Sequence, residues 1–255
     1  MNLGFLGFGK IATHHARVFS QIGIEIKYDY IQSRRIQGNA FHPDVDAIVV
    51  ALLPECLPEF IERIVQDPRP CLIEKMPPVD APSNKVAAYN RRFYDTVAIL
   101  RNRVRAGGLV HYDADLPPSG AQMHGFDLMY HLFGDIRAVT VKGPLNVSIR
   151  AIFDDNSCWT LKPFETLSVV KGGGTEDKET DSIRKYDFPE VNRWTEDATF
   201  KPGFLEQAKA FIDGVKTGNF GLCCSAEENK KRYEILNSLA GTNPPQASQF
   251  TVRKV

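Results

Sequence analysis

The sequence predicts an α/β protein: an N-terminal doubly wound parallel sheet, then a C-terminal α+β domain with a mostly antiparallel open sheet. Three observations predict it. Up to Ile73, short apolar β-rich runs alternate with helical spacing, the pattern of successive βαβ units. Beyond Gly134, strand-like runs follow one another with only turns between them, as antiparallel strands do. Two amphipathic helical segments then lead to a final strand. The chain's 255 residues suffice for two domains with a core each, and the change of pattern sets residues 1–92 apart from residues 93–255.

In the first half, residues 3–6, 24–31, 47–53 and 71–73 read as parallel strands, with helices over about 11–21 and 55–66. Residues 85–89 offer a fifth strand. Phe93, Val97, Leu100 and Val104 recur at helical spacing, and Gly107-Gly108 ends that helix. In the second half, residues 138–141, 147–153, 157–161, 167–170 and 183–188 suit antiparallel strands. Gly172-Gly173-Gly174 and the charged run after it read as a hairpin loop, because no helix pattern follows to bind a phosphate. Helices over about 203–217 and 226–239 and a strand over 250–253 complete the order.

Composition narrows the function classes. Lys and Arg number 31, as do Asp and Glu, so the chain lacks the positive field with which nucleic-acid binders and membrane-surface proteins attract polyanions. No apolar run approaches the roughly 20 residues that span a bilayer, and the start of the sequence lacks signal-peptide character, so a cytoplasmic location is expected. Cys56, Cys71, Cys158, Cys223 and Cys224 form no CxxC pair and no Cys/His cluster at zinc spacing; they read as reduced thiols, and no metal is expected.

The first strand runs into Gly7-Phe8-Gly9-Lys10-Ile11-Ala12, a GxGxxA turn that opens a helix. Gly7 permits the tight turn, Gly9 lets the backbone approach a pyrophosphate, and Ala12 allows close helix packing, as in a Rossmann dinucleotide site. The diphosphate is expected at the helix N-terminus, where N–H groups and the helix dipole favour negative charge. After the second strand, Ser33-Arg34-Arg35 reads as a clamp for a 2′-phosphate, which selects NADP over NAD. Asp29 is the rival selector for NAD but lies further inside the strand. Leu53, after the third strand, joins the expected cofactor set.

With that turn, Ile73-Glu74-Lys75-Met76-Pro77 resembles the Glu-Lys-Pro signature of the Gfo/Idh/MocA oxidoreductase family. Tyr89-Asn90-Arg91-Arg92-Phe93 is similar to that family's interdomain segment, and His124-Gly125-Phe126-Asp127-Leu128 with Leu132-Phe133-Gly134 to its His-x-x-Asp-Leu helix. Residues 203–218 and 225–239 resemble its closing helix pair. The resemblance implies a Rossmann domain that binds NAD or NADP, a second sheet that supports a homodimer or homotetramer, and small sugar-like substrates. It implies Glu74 and Lys75 among the cofactor-binding residues, with Lys75 beside the nicotinamide, His124 as proton donor or acceptor, and Asp127 orienting substrate or His124. Hydride transfer at a carbinol carbon needs a matching proton transfer at oxygen, which a lysine ammonium and a histidine can supply.

The chain departs from the family in four places. Only 14 residues lie between Lys75 and Asn90, too few for the family's extra helix; Met76 displaces Pro77 by one; Gly120 replaces an Asp four residues before His124; and the segment 108–124 is short. Two other readings therefore stand beside an NADP-dependent dehydrogenase. One is a reductase of C=N or C=C bonds similar to biliverdin reductase, and the other a non-catalytic NADP-binding sensor or assembly subunit. Of His14 and His15, one reads as surface and one as packing; His131, Trp159 and Trp194 read as core, and Cys223-Cys224 as an unbonded pair.

Overall fold

The computed structural model describes residues 1–7, 9–28, 44–116, 122–134, 138–140, 148–162, 166–171, 183–187, 203–240 and 250–253. The chain opens with β1 (Asn2–Leu6), α1 (Lys10–Gln21), β2 (Glu25–Tyr28) and β3 (Ala47–Val50). The helix expected over 55–66 is broken: a 3-10 turn at Leu57–Glu59 precedes a short α2 (Ile61–Gln66). Pro58, with fixed φ and no N–H, favours the opening of a turn over the interior of one long helix. β4 (Cys71–Ile73) and β5 (Lys85–Ala87) follow. β3 and β4 are buried throughout, which is why they read as unbroken apolar runs.

Next come a 3-10 turn at Asn90–Phe93, α3 (Asp95–Arg105), β6 (Leu109–Leu116), α4 (Gln122–Phe133), β7 (Ala138–Thr140), β8 (Ser148–Phe153), β9 (Ser157–Lys162), β10 (Thr166–Lys171) and β11 (Ile183–Asp187). The chain ends with α5 (Phe204–Thr217), β12 (Cys224–Ser225), α6 (Ala226–Ala240) and β13 (Phe250–Arg253). The expected Gly-rich hairpin loop lies outside the described residues. Among those described, no helix is long and apolar enough to cross a membrane.

These elements form two compact units, Met1–Asn90 with Glu196–Leu236, and Arg91–Thr195 with Asn237–Val255. The reading of 93–255 as one continuous second domain is corrected: most of the closing helix pair joins the first unit. The reason is packing. The His15 ring of α1 lies 4.6 Å from Phe204 of α5, Phe19 lies 6.3 Å from Phe211, and β12 hydrogen-bonds to β5.

The first unit's sheet has the order β12-β5-β4-β3-β1-β2, parallel except for β12. The order reverses at β1, with β2 on one side and β3 on the other, which creates the crevice where open α/β sheets bind ligands. The link from β4 to β5 contains no helix, although the strands are parallel.

The second unit's sheet has the order β11-β10-β9-β8-β6-β13-β7, and all its described pairings are antiparallel. Tyr112, Ala114, Ile149, Ala151 and Phe153 are buried, whereas Arg150 is exposed and pairs with Asp113 across the strands at 2.5 Å.

Candidate active site

The strand register brings the expected cofactor residues together at the carboxyl end of the parallel sheet. Leu6 pairs with Val50, and Val50 with Ile73, so Gly7, Ala51 and Glu74 emerge at one level. Ladder bonds from Ala51 N–H to Leu6 O and from Glu74 N–H to Val50 O, both 2.8 Å, hold that edge.

The two glycines of the turn do different work. Gly7 has φ +88°, and a Cβ there would meet Ala51 O at 2.8 Å, so sterics require glycine. Gly9, the N-cap of α1, has extended backbone, and a Cβ on it would meet nothing within 4 Å among the described residues. Among the described residues, the entrance to α1 thus borders open space, with no side-chain cap bond and no acidic residue in the first turn. An anion fits that combination. Ala12 is wholly buried, as close helix packing requires. Lys10 opens α1 exposed, Ile11 follows half-buried, and Leu53, after β3, is 54% exposed beside the crevice. Phe8, Asp29, Ser33, Arg34 and Arg35 lie outside the described residues.

Glu74, half-buried after β4, is tied to α1: its Oε1 accepts the Nε2 proton of His15 at 2.8 Å. His15 is 1% exposed and His14 half-buried, so His15 is the packing member of the pair. Lys75 comes next, exposed, with φ +49°. This left-handed backbone costs a non-glycine residue about 1–2 kcal/mol, and other contacts must sustain it. Met76 turns inward and is wholly buried. Its carbonyl and that of Pro77 both accept from the Asn229 side-chain amide of α6, at 3.0 and 3.2 Å. Asn229 Oδ1 in turn accepts from Tyr89 Oη at 2.6 Å. Sequence reasoning missed Asn229; one amide among the charged residues of a helix, far along the chain, gives no local signal.

In the second unit, Phe126, Leu128, Met129 and Leu132 of α4 are buried, as their spacing predicts, and His124 is half-buried in the first turn. Asp127 is wholly buried, and its two oxygens accept from Arg92 Nε and Nη2 at 2.7 and 2.6 Å. The expectation that Asp127 orients substrate thus meets a carboxylate already engaged in fixing α4 to the turn at Asn90–Phe93. Gly120 lies outside the described residues.

No family model matches the chain, and no curated protein is similar to it in sequence. Solved structures are similar in fold. A dehydrogenase from Chromobacterium violaceum aligns with a TM-score of 0.70 at 14% identity, covering 95% of both chains. A myo-inositol dehydrogenase from Corynebacterium glutamicum gives 0.64 at 16% identity, covering 97% of this chain and 98% of that one. A UDP-N-acetylglucosamine 3-dehydrogenase from Acidithiobacillus ferrooxidans gives 0.64 at 15%, covering 93% and 96%. The chain therefore has the fold of these dehydrogenases, the fold that its resemblance to the Gfo/Idh/MocA family implies.

Proposed function

We propose that this protein is an NADP-dependent oxidoreductase that moves a hydride between a nicotinamide and a carbinol or carbonyl carbon of a small sugar-like molecule. One observation carries the reading: the Gly7–Gly9 turn, the uncapped entrance to α1 and exposed Lys75 share the carboxyl end of one parallel sheet. Gly7, Gly9 and Lys10 would hold the diphosphate, and Ser33, Arg34 and Arg35 the 2′-phosphate. The nicotinamide supplies or accepts the hydride.

Lys75 would polarise the substrate oxygen with its ammonium, and the resemblance supports His124 as a proton donor or acceptor. Asp127 is assigned to holding α4 through Arg92. The substrate class is supported by relatives of the same fold, two of which are named for myo-inositol and UDP-N-acetylglucosamine. With Gly120 in place of an acid and Asp127 engaged, reduction of a C=N bond, which needs less acid/base help, is the second reading.

Titration with NADPH and NADH, followed by fluorescence, tests the cofactor assignment. We expect NADPH to bind more tightly, and the doubly substituted R34A/R35A chain to lose about 1–3 kcal/mol of that affinity. Equal affinity for NADH would refute the clamp. Light scattering tests assembly, for which we propose a homodimer or homotetramer; a monodisperse monomer contradicts it.

A further inference from the structure

Lys75 is braced on both sides. On its amino side, Glu74 is fixed by the ladder bond to Val50 O and by His15. On its carboxyl side, the buried Met76 side chain and one amide group hold the turn. Two successive carbonyls converge on a single nitrogen only where the chain bends between them. An asparagine suits that bend, because one nitrogen carries two donors while the oxygen still accepts an orienting bond.

The wholly buried Asn229 meets those conditions, with Tyr89 Oη on its oxygen. The first turn of α6 is itself anchored. Ser225 N–H donates to Glu228 Oε2 at 3.0 Å and Glu228 N–H to Ser225 Oγ at 3.1 Å, a reciprocal capping box. The preceding β12 pairs with β5, and Lys230 grips Asp80 of the β4–β5 link at 2.6 Å. This apparatus spans the link where the family's extra helix is missing.

We propose that Asn229, oriented by Tyr89, is a positioning residue that holds the left-handed turn at Lys75 and so aims its ammonium at the nicotinamide. The inference rests on the cofactor reading above. It is tested on the full chain with lysines reductively methylated with carbon-13, the Lys75 resonance being assigned by its loss in Lys75→Arg. NADP⁺ is then titrated in.

In the wild-type chain, bound NADP⁺ should move the Lys75 resonance. In Asn229→Ala the Kd should stay near the wild-type value while that movement is lost, and Tyr89→Phe should reduce it. A purely structural role for Asn229 leaves the movement intact, so a wild-type response in a folded Asn229→Ala chain overturns the proposal. Should Asn229→Ala fail to fold, Tyr89→Phe decides, because it keeps both amide donors and removes only the group that orients them; an unchanged response again overturns it. A wild-type chain that binds NADP⁺ without moving Lys75 overturns the positioning role alone. A wild-type chain that binds neither NADP⁺ nor NADPH overturns the cofactor reading, and the positioning role with it.

Discussion

The two ends of the first unit's parallel sheet each carry a lysine, and the fold treats them in opposite ways. At the amino end, Lys85 begins β5 wholly buried, its Nζ donating to the carbonyls of Asp67, at 2.6 Å, and Arg69. The loop those carbonyls belong to is closed by an ion pair between Asp67 and Arg69 at 2.6 Å. Burial works to raise the Asp67 carboxyl, but the Arg69 hydrogen bonds and charge outweigh it and hold the group below its ordinary value. Cys71 lies beside this cluster. At the carboxyl end, ten residues earlier, Lys75 is exposed in a left-handed conformation. A buried lysine whose donors are taken by carbonyls is part of the scaffold. An exposed one on a braced turn presents its ammonium at the surface, where the proposed cofactor site would use it.

The largest effect should come from opening the amino end. Lys85→Met leaves two interior carbonyls without their donor, and urea denaturation should show a loss of about 2–4 kcal/mol. NADPH affinity of the folded chain should not change, because the carboxyl end is untouched. A loss of affinity comparable to that of R34A/R35A would break the separation of the two ends.

Alkaline pH sharpens the contrast. Burial pushes the Cys71 thiol up from 9.0 to about 11. The folded chain then keeps its proton where the unfolded chain gives it up, so this contribution is complete below pH 9.0 and disappears as pH rises towards about 11. Across that window the wild-type chain should lose up to about 3 kcal/mol more stability than Cys71→Ala. Parallel stability curves for the two chains would mean that this end is open to water.

The smallest effect should be of opposite sign. Lys75→Gly relieves the left-handed backbone and should raise stability by about 0.5–1 kcal/mol, after allowing for glycine's extra freedom in the unfolded chain. Lys75→Met keeps the strain and should leave stability within about 0.5 kcal/mol while turnover on an identified substrate falls about 100-fold. Equal stability of Lys75→Gly and Lys75→Met would show that the turn is not strained.

Much of this was legible along the chain. The Gly7 turn, the apolar runs of β3 and β4 and the amphipathic α5 are local patterns with local causes, and the structure follows them. β6 was not among the expected strands, although the alternation of His111 and Asp113 with the buried Tyr112 and Ala114 is that of a half-buried strand; its aspartates, poor strand formers, weaken the local signal. The site was legible where it depends on a turn and illegible where it depends on partners distant in sequence. Arg92 and Asp127 stand 35 positions apart, and Asn229 and Met76 stand 153 apart. Neither separation leaves a mark in the local pattern. The domain boundary shifted for the same reason, since Phe204 meets His15 only after the chain has returned.

That return sets an order of events during synthesis. On the ribosome, β1 to β5 emerge long before β12 and α6, so β5 is first a bare sheet edge and the turn at Lys75 has no amide to fasten it. The nascent first unit waits for a distant segment to close a long loop, a slow step set by chain entropy. Meanwhile the antiparallel strands from β8 to β11, neighbours in sequence, have short loops to close and can pair first. Both units are therefore completed by distant segments: β12 and α6 close the first, and β13, between β6 and β7, closes the sheet of the second.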